Sequence, residues 1–263
     1  LLAFLQHGPS AVPIDVQNPN THNTISASGR YGYRDIRSVG IWSDFNIHEI
    51  MRRYGALLTT SGLQDNPFRN SPMDSLTTES TLVHLIARSS TDRVQEALRC
   101  GFALLNPAQH ARFSVVYYGA GEAAARIERC APDLAFYDPH LPSHIRPNRL
   151  PGDVKPSYKW NTGLANSPSH TDRKEYKQVL SQVNYYMIQH QARYGFILTN
   201  RELVAIRRLD NHGNLQLAAP VPWTASGTAT HPQLTVLLAL WTLGMLSSDN
   251  QDWSLNPSFT TDF

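Results

Sequence analysis

Residues 131–137 read Ala-Pro-Asp-Leu-Ala-Phe-Tyr, and residues 152–158 read Gly-Asp-Val-Lys-Pro-Ser-Tyr. Both segments are predicted to be short strands, and the proline-rich stretch between them favours a loop over a helix. Successive side chains of a strand point to opposite faces, so Asp153 and Lys155 share one face. If the two strands pair, Asp133 joins them there.

Two carboxylates that face one point repel each other unless a cation lies between them. Hard oxygen ligands favour magnesium or manganese over zinc. The nearby ammonium group of Lys155 can orient a water molecule or stabilise the charge that builds on a phosphate oxygen. Asp133, Asp153 and Lys155 therefore predict a site for metal-dependent phosphodiester chemistry. The alternative is a chance triplet and a Pro-Asp pair that marks an ordinary turn, because both patterns are common.

A long amphipathic helix is predicted after these strands, over residues 171–191, with Thr171-Asp172 as its cap. Gln182 and Tyr186 are four residues apart and share a face, so an amide and a phenol can reach one site. The alternative places the glutamine at the rim and the tyrosine in the core. Two further strands that read as a hairpin follow and complete a sheet.

This order of a Pro-Asp strand, an Asp-x-Lys strand, a Gln-x-x-x-Tyr helix and a further strand resembles the PD-(D/E)XK nuclease superfamily. Segments 152–160, 193–202 and 222–225 look similar to a group of largely uncharacterised fungal proteins. Some relatives of that group carry a kinase-like domain. Fungal spore-killer proteins look like distant relatives that contain a nuclease-like segment. The resemblance covers about residues 75–250.

The resemblance implies an α/β (α+β) fold with a restriction-endonuclease-like core, in which helices flank a mixed central sheet. The nuclease-like domain is expected over residues 75–263, after an irregular and helical N-terminal extension over residues 1–74. The resemblance also implies magnesium or manganese as the cofactor. It assigns roles to five residues: the metal ligands Asp133 and Asp153, the catalytic lysine Lys155, and the supporting pair Gln182 and Tyr186. In the expected mechanism the backbone carbonyl of Val154 is a further metal ligand.

Members of this superfamily usually carry a further glutamate on the helix that precedes the sheet. The chain offers three candidates, namely Glu96 on a helix predicted over 92–105, Glu79 at the start of one predicted over 78–88, and Glu49 on an earlier helix. Glu96 is preferred as the further metal ligand. Glu79 has a structural explanation, because a carboxylate in a first turn interacts favourably with the helix dipole. A solvated surface charge is the alternative for all three.

Basic side chains concentrate around the expected site. Residues 146–208 contain eleven basic residues (lysine and arginine) and four acidic ones. The rest of the chain contains twelve basic and seventeen acidic residues. Such a surface attracts phosphate backbones of any sequence. The candidates for contact with nucleic acid are Lys159, Trp160, Arg173, Lys174 and Lys177. Their alternatives are solvated helix positions and, for Trp160, a partly buried structural role.

The composition, with 263 residues, 41% hydrophobic and 17% charged, is typical of a soluble globular protein. The longest apolar run, 234–246, is too short to span a bilayer and predicts a buried helix. Cys100 and Cys130 fit a reducing compartment, cytoplasm or nucleus, better than a disulfide scaffold. The sequence contains neither the Cys-x-x-Cys nor the His-Glu-x-x-His pattern of zinc sites, and it lacks the Gly-x-Ser-x-Gly pattern of hydrolases.

The sequence therefore predicts a divalent-metal-dependent nuclease with nucleic acid, expected to be DNA, as its partner and no membrane contact. The alternative is a nuclease-fold module without turnover that binds nucleic acid or a protein, for example within a fungal toxin or effector. The choice between DNA and RNA, between endonuclease and exonuclease action, and between a monomer and a homodimer stays open.

Overall fold

The computed structural model of the chain describes residues 1–17, 19–23, 29–60, 62–68 and 74–255. The last eight residues of the expected nuclease-like domain, 256–263, lie outside the described residues. So do residues 18 and 24–28 of the segment that the sequence predicts to be irregular.

An open mixed sheet of eight strands forms the centre of the described structure. The strands are β1 (Ser38–Ile41), β2 (Tyr117–Ala120), β3 (Leu134–Tyr137), β4 (Gly152–Val154), β5 (Tyr194–Leu198), β6 (Glu202–Arg208), β7 (Asn214–Leu217) and β8 (Val221–Pro222). Their order is β1-β7-β6-β5-β4-β3-β2, and β8 pairs with β6. The β1–β7 and β4–β5 pairs are parallel, and the other pairs are antiparallel. The chain thus has a mixed α/β fold, as the sequence predicts.

Six α-helices belong to the described residues. They are α1 (Leu2–Leu5), α2 (Ile47–Thr60), α3 (Glu79–Ala103), α4 (Pro107–His110), α5 (His170–Gln189) and α6 (Val236–Ser248). Strand β5 separates two apolar clusters, because Phe196 and Leu198 point into the larger one and Ile197 into the smaller one. Helices α2, α3 and α6 contribute to the larger cluster and α5 to the smaller one. The sheet is therefore covered by helices on both faces.

Helix α6 is the buried helix that the apolar run predicts, and all of its residues are buried. A helix that is apolar all round has to be enclosed by protein. Its N-cap is Thr235, whose side chain accepts a hydrogen bond from the N–H of Leu238. Among the described residues, no helix combines the length and the apolar character that crossing a bilayer needs.

Helix α3 is one continuous helix where the sequence predicts two. The hydroxyls of Ser89 and Ser90, at the predicted break, donate to the carbonyls of Leu85 and Ile86 one turn earlier. Both serines are buried, and this back-bonding satisfies their hydroxyls inside the helix. The polar Ser-Ser-Thr stretch therefore continues the helix instead of ending it.

The N-terminal part of the chain belongs to the same packed structure. Within the extension that is predicted over residues 1–74, α1 packs into the larger apolar cluster and β1 extends the sheet. Strand β1 pairs Ser38 with Asn214, far away in the sequence. Val39 and Ile41 alternate with Ser38 and Gly40, but the run is only four residues long and all four are exposed, so no buried strand is indicated locally.

The buried ring of His190 makes stability depend on pH. Its Nδ1 accepts a hydrogen bond from the N–H of Asn148 at 3.2 Å, and burial lowers the pKa of His190 from 6.5 to about 4. Because the folded state favours the neutral ring, this contribution is fully present above the unfolded pKa and is lost as pH falls towards 4. The loss is expected to be about 3 kcal/mol at most.

The expected result is that urea unfolding at pH 7.5 and pH 4.5 shows a larger loss of stability for the wild type than for His190→Gln. Glutamine does not titrate, so the difference between the two proteins isolates the histidine. An equal pH dependence in both proteins would contradict the prediction.

Candidate active site

The two motif strands lie side by side, as predicted. Leu134 of β3 is paired with Gly152 of β4, which brings Asp133, the residue before β3, next to the motif on β4. Its Oδ2 accepts a hydrogen bond from the N–H of Val154 at 2.8 Å. On its other side, β4 is held by β5, and Asp153 is paired with Ile197. The position of Asp133 is therefore fixed by strand pairing and by a direct hydrogen bond.

Asp153 and Lys155 meet on one face of the sheet. Nζ of Lys155 lies 2.8 Å from Oδ2 of Asp153. The backbone N–H of Lys155 donates to the carbonyl of Leu198 at 3.0 Å, which continues the strand pairing one residue beyond β4. Both side chains are almost fully buried, with side-chain exposures of 2% for Asp153 and 7% for Lys155. The alternation of strand residues thus forms a buried ion pair.

Glu79, at the start of α3, is the helical carboxylate that reaches this pair. Its Oε1 lies 2.8 Å from Nζ of Lys155, and its Oε2 lies 2.9 Å from Nζ of Lys159. Thr78 caps the helix by accepting a hydrogen bond from the N–H of Thr81. Glu79 is thereby held at the first turn, where it faces β4. We call Asp133, Asp153, Lys155 and Glu79 the acidic cluster.

The preference for Glu96 is corrected by this geometry. Glu96 is exposed and lies on the same helix as Glu79 but 17 residues later. At 1.5 Å per residue, the two positions are about 25 Å apart along the axis. Glu49 lies on α2 and forms an ion pair with Arg52 at 2.7 Å. Of the three candidates, only Glu79 contacts Lys155.

Burial and charge shift the pKa values of the cluster in opposite directions. Burial raises the pKa of Asp153 to about 7, and it also raises the pKa of Asp133. Burial acts to lower the pKa of Lys155, but the surrounding carboxylates outweigh it and raise that pKa. Burial acts to raise the pKa of Glu79, but the adjacent lysines outweigh it and lower that pKa. The carboxylates therefore favour the charged form of Lys155, whereas burial favours the neutral forms of Asp133 and Asp153.

Gln182 and Tyr186 lie beside the acidic cluster on α5. Nε2 of Gln182 donates to the hydroxyl of Tyr186 at 3.2 Å. Burial, followed by the charge of Asp153, raises the pKa of Tyr186. Helix α5 is capped by Ser169, which accepts from the N–H of Asp172, and not by the predicted Thr171-Asp172 pair. The spacing of four residues nonetheless places the amide and the phenol on one face.

Tyr31 is a neighbour of the cluster that the sequence did not indicate. Burial raises its pKa, and the charge of Asp153 adds to this effect. Its ring lies 5.5 Å from the ring of Tyr185, and the ring of Tyr185 lies 6.2 Å from that of Tyr186. The tyrosine comes from the N-terminal part of the chain, so no local motif links it to the strands.

The basic candidates for nucleic-acid contact have different surroundings. Lys159 is paired with Glu79, as described above. The exposed Arg173 donates to the carbonyls of Ser167 and Pro168. Lys174 lies over the ring of Tyr33 at 5.2 Å, and Nζ of Lys177 donates to the carbonyl of Ile36 at 3.1 Å. Lys174 and Lys177 therefore lie against the N-terminal segment that carries Tyr31.

Trp160 has a structural role, and its assignment as a base-stacking residue is corrected. The side chain is fully buried, and its ring stacks on Tyr176 at 5.7 Å with an interplanar angle of 6°. Its Nε1 donates to the carbonyl of Tyr176 at 3.2 Å. A ring enclosed in this way cannot stack on a nucleic-acid base.

The donor atoms of the acidic cluster suit a hard divalent cation. Oδ2 of Asp153 is buried and lies 2.8 Å from Nζ of Lys155, its charged hydrogen-bond partner. Carboxylate oxygens of Asp133 and Asp153 and the carbonyl of Val154 are the atom types that magnesium and manganese prefer. Within the described part of the chain, no group of three or more His, Cys, Asp or Glu side chains stands ready for a metal ion. A cation would therefore need the backbone carbonyl or water as additional ligands.

The chain matches no protein-family model, no curated protein and no solved structure. The function of the chain is therefore inferred from the geometry of the cluster and from the order of the elements that carry it.

Proposed function

We propose that the chain is a divalent-metal-dependent nuclease that hydrolyses phosphodiester bonds, with DNA as its substrate. The observation that carries the proposal is the acidic cluster. In it, Nζ of Lys155 lies 2.8 Å from both Oδ2 of Asp153 and Oε1 of Glu79, and Asp133 is hydrogen-bonded to the same strand. Buried carboxylates of raised pKa beside a lysine are a combination typical of functional sites.

The order of the elements supports a restriction-endonuclease-like core. Helix α3 with Glu79 comes first, followed by the antiparallel strands β2, β3 and β4, then by α5 and the parallel strand β5. A glutamate on a helix before the sheet, a Pro-Asp strand, an Asp-x-Lys strand and a helix with Gln-x-x-x-Tyr are the features that the resemblance to the PD-(D/E)XK superfamily implies. Glu79 contacts Lys155, Asp133 is hydrogen-bonded to Val154, and the charge of Asp153 acts on Tyr186.

Magnesium or manganese, when bound by Asp133, Asp153 and the carbonyl of Val154, would polarise the phosphate and lower the pKa of a bound water. The carboxylates around Lys155 raise its pKa and favour the charged form, which is a poor general base. Its ammonium group instead donates hydrogen bonds, orients the attacking water and stabilises charge on the phosphate oxygen. Glu79 holds that ammonium group in place, and Gln182 fixes the hydroxyl of Tyr186 beside Asp153.

A module that binds nucleic acid without cutting it is the second candidate. One observation favours it: the ammonium group of Lys155 already pairs with the carboxylates of Asp153 and Glu79. This pairing supplies part of the positive charge that a cation would otherwise supply.

The test is incubation of the purified protein with plasmid and single-stranded DNA in magnesium, manganese or EDTA. The wild type is expected to cut in either metal but not in EDTA, whereas Asp153→Ala should not cut. Equal cutting by the wild type and Asp153→Ala would sink the proposal. Tight DNA binding without any cutting in manganese would favour the second candidate.

A further inference from the structure

A recess of about 390 Å³ is lined in part by Tyr31, the tyrosine on which the charge of Asp153 acts. It is enclosed by residues 30–37 of the N-terminal part, by α5, and by residues 211–213 between β6 and β7. The rings of Tyr31 and Tyr185, which are tilted by 41° with centroids 5.5 Å apart, form one wall. The volume of the recess falls within the range of small-ligand sites, roughly 300–1,000 Å³.

The rim of the recess is positively charged. Arg34 and Arg37 are exposed lining residues, and no carboxylate of the described residues lies within 4.0 Å of either side chain. Asp35 is the acid of the lining, and its Oδ2 accepts a hydrogen bond from the N–H of Gly32 at 2.7 Å. Two guanidinium groups without an acidic partner suit an anionic group such as a phosphate.

The inner surface of the recess carries a hydrogen-bonding group that lacks a partner. Asn184 is 3% exposed, and its Oδ1 has no hydrogen-bond partner among the described residues. A buried carbonyl of this kind is costly unless a donor meets it. The half-buried ring of Tyr185 lies next to it in the helix. Proteins stack aromatic rings on a base, hydrogen-bond its edge with amides and bind its phosphate with arginines. The recess carries all three kinds of group.

We propose that this recess holds an unpaired nucleotide of the DNA next to the bond that is cut. A base inside a duplex is stacked and paired, so it can enter a recess only from a single strand or after flipping out. The inference rests on the proposed nuclease function and names its substrate more closely. The substrate is single-stranded DNA, or duplex DNA with an unpaired nucleotide at the cleavage position.

The test measures binding without metal, by fluorescence anisotropy in EDTA. Three labelled DNAs of matched length are compared, namely a single strand, a blunt duplex and a duplex with one unpaired nucleotide. The single strand and the interrupted duplex are expected to bind about tenfold or more tightly than the blunt duplex. Tyr185→Leu should weaken single-strand binding about five- to a hundredfold, the range of one base-stacking contact. Tyr185→Phe keeps the ring and should bind like the wild type.

A matched pair of double variants tests the arginines. Arg34→Ala with Arg37→Ala should weaken single-strand binding about tenfold or more, whereas Arg52→Ala with Arg88→Ala removes equal charge elsewhere and should change it less than about threefold. Equal binding of all three DNAs, or equal effects of both double variants, would overturn the recess as a nucleotide site. Metal-dependent cutting that persists in that case would leave the nuclease proposal standing. Selective binding without cutting would support the recess and contradict the nuclease.

Discussion

Lys155→Met is expected to lower metal-dependent DNA cleavage by about a hundred- to a thousandfold, the usual effect of removing one charge-stabilising donor. The ammonium group contacts Asp153 and Glu79, both at 2.8 Å, and these carboxylates raise its pKa and favour its charged form. Methionine has similar length and fills the same buried space without charge. Because the water and the phosphate oxygen then lose their positive partner, the chemical step should slow more than binding weakens.

Lys159→Met provides the comparison for this variant. Lys159 also contacts Glu79, at 2.9 Å, but has no contact with Asp153. The loss of cleavage rate in Lys159→Met should therefore be at least tenfold smaller than the loss in Lys155→Met. Single-turnover cleavage with saturating protein separates the chemical step from binding, and circular dichroism shows whether each variant is folded. A folded Lys155→Met that cuts within threefold of the wild type would contradict the role given to this lysine.

Glu79→Gln is expected to lower cleavage by about a hundredfold, whereas Glu96→Gln should leave it within about twofold of the wild type. The change removes one charge and preserves the shape of the side chain. In Glu79 it releases Lys155 from one of its two carboxylate partners, and in Glu96 it affects an exposed position about 25 Å away along α3. Both residues lie on one helix, so the pair is matched in chemistry and in local structure.

The measurement is the single-turnover rate of both variants in manganese, together with their thermal unfolding. Glu79 also lies at a helix N-terminus, where a carboxylate contributes about 0.3–1 kcal/mol, so a small loss of stability is expected for that variant alone. If Glu96→Gln cut slowly while Glu79→Gln stayed active, Glu96 would again be assigned as the further metal ligand, as the sequence predicts.

Short-range spacing explains which parts of the site could be predicted. The period of two in a strand placed Asp153 and Lys155 on one face, and the spacing of four in a helix placed Gln182 beside Tyr186. The pairing of the two motif strands was a condition of that prediction, and the contact between Leu134 and Gly152 fulfils it. These features depend on neighbours in the sequence, so a single sequence contains them.

The rest of the site depends on packing between distant segments. Whether Glu79 or Glu96 reaches Lys155 is decided by which end of α3 lies against β4, and both glutamates fit their helix equally well locally. Trp160 looks accessible next to basic residues, but its burial depends on Tyr176, on α5. Tyr31 reaches the cluster from a segment without a periodic pattern. None of these placements has a signal at short sequence distance.

The most direct test of the central claim, that the acidic cluster holds a catalytic cation, is anomalous diffraction at the manganese edge from crystals grown with Mn²⁺. The account predicts one strong peak within coordination distance, about 2.0–2.5 Å, of carboxylate oxygens from both Asp133 and Asp153. It also predicts that Asp153→Asn crystals lack this peak. An empty cluster at saturating Mn²⁺, or a peak only at other residues, would contradict it.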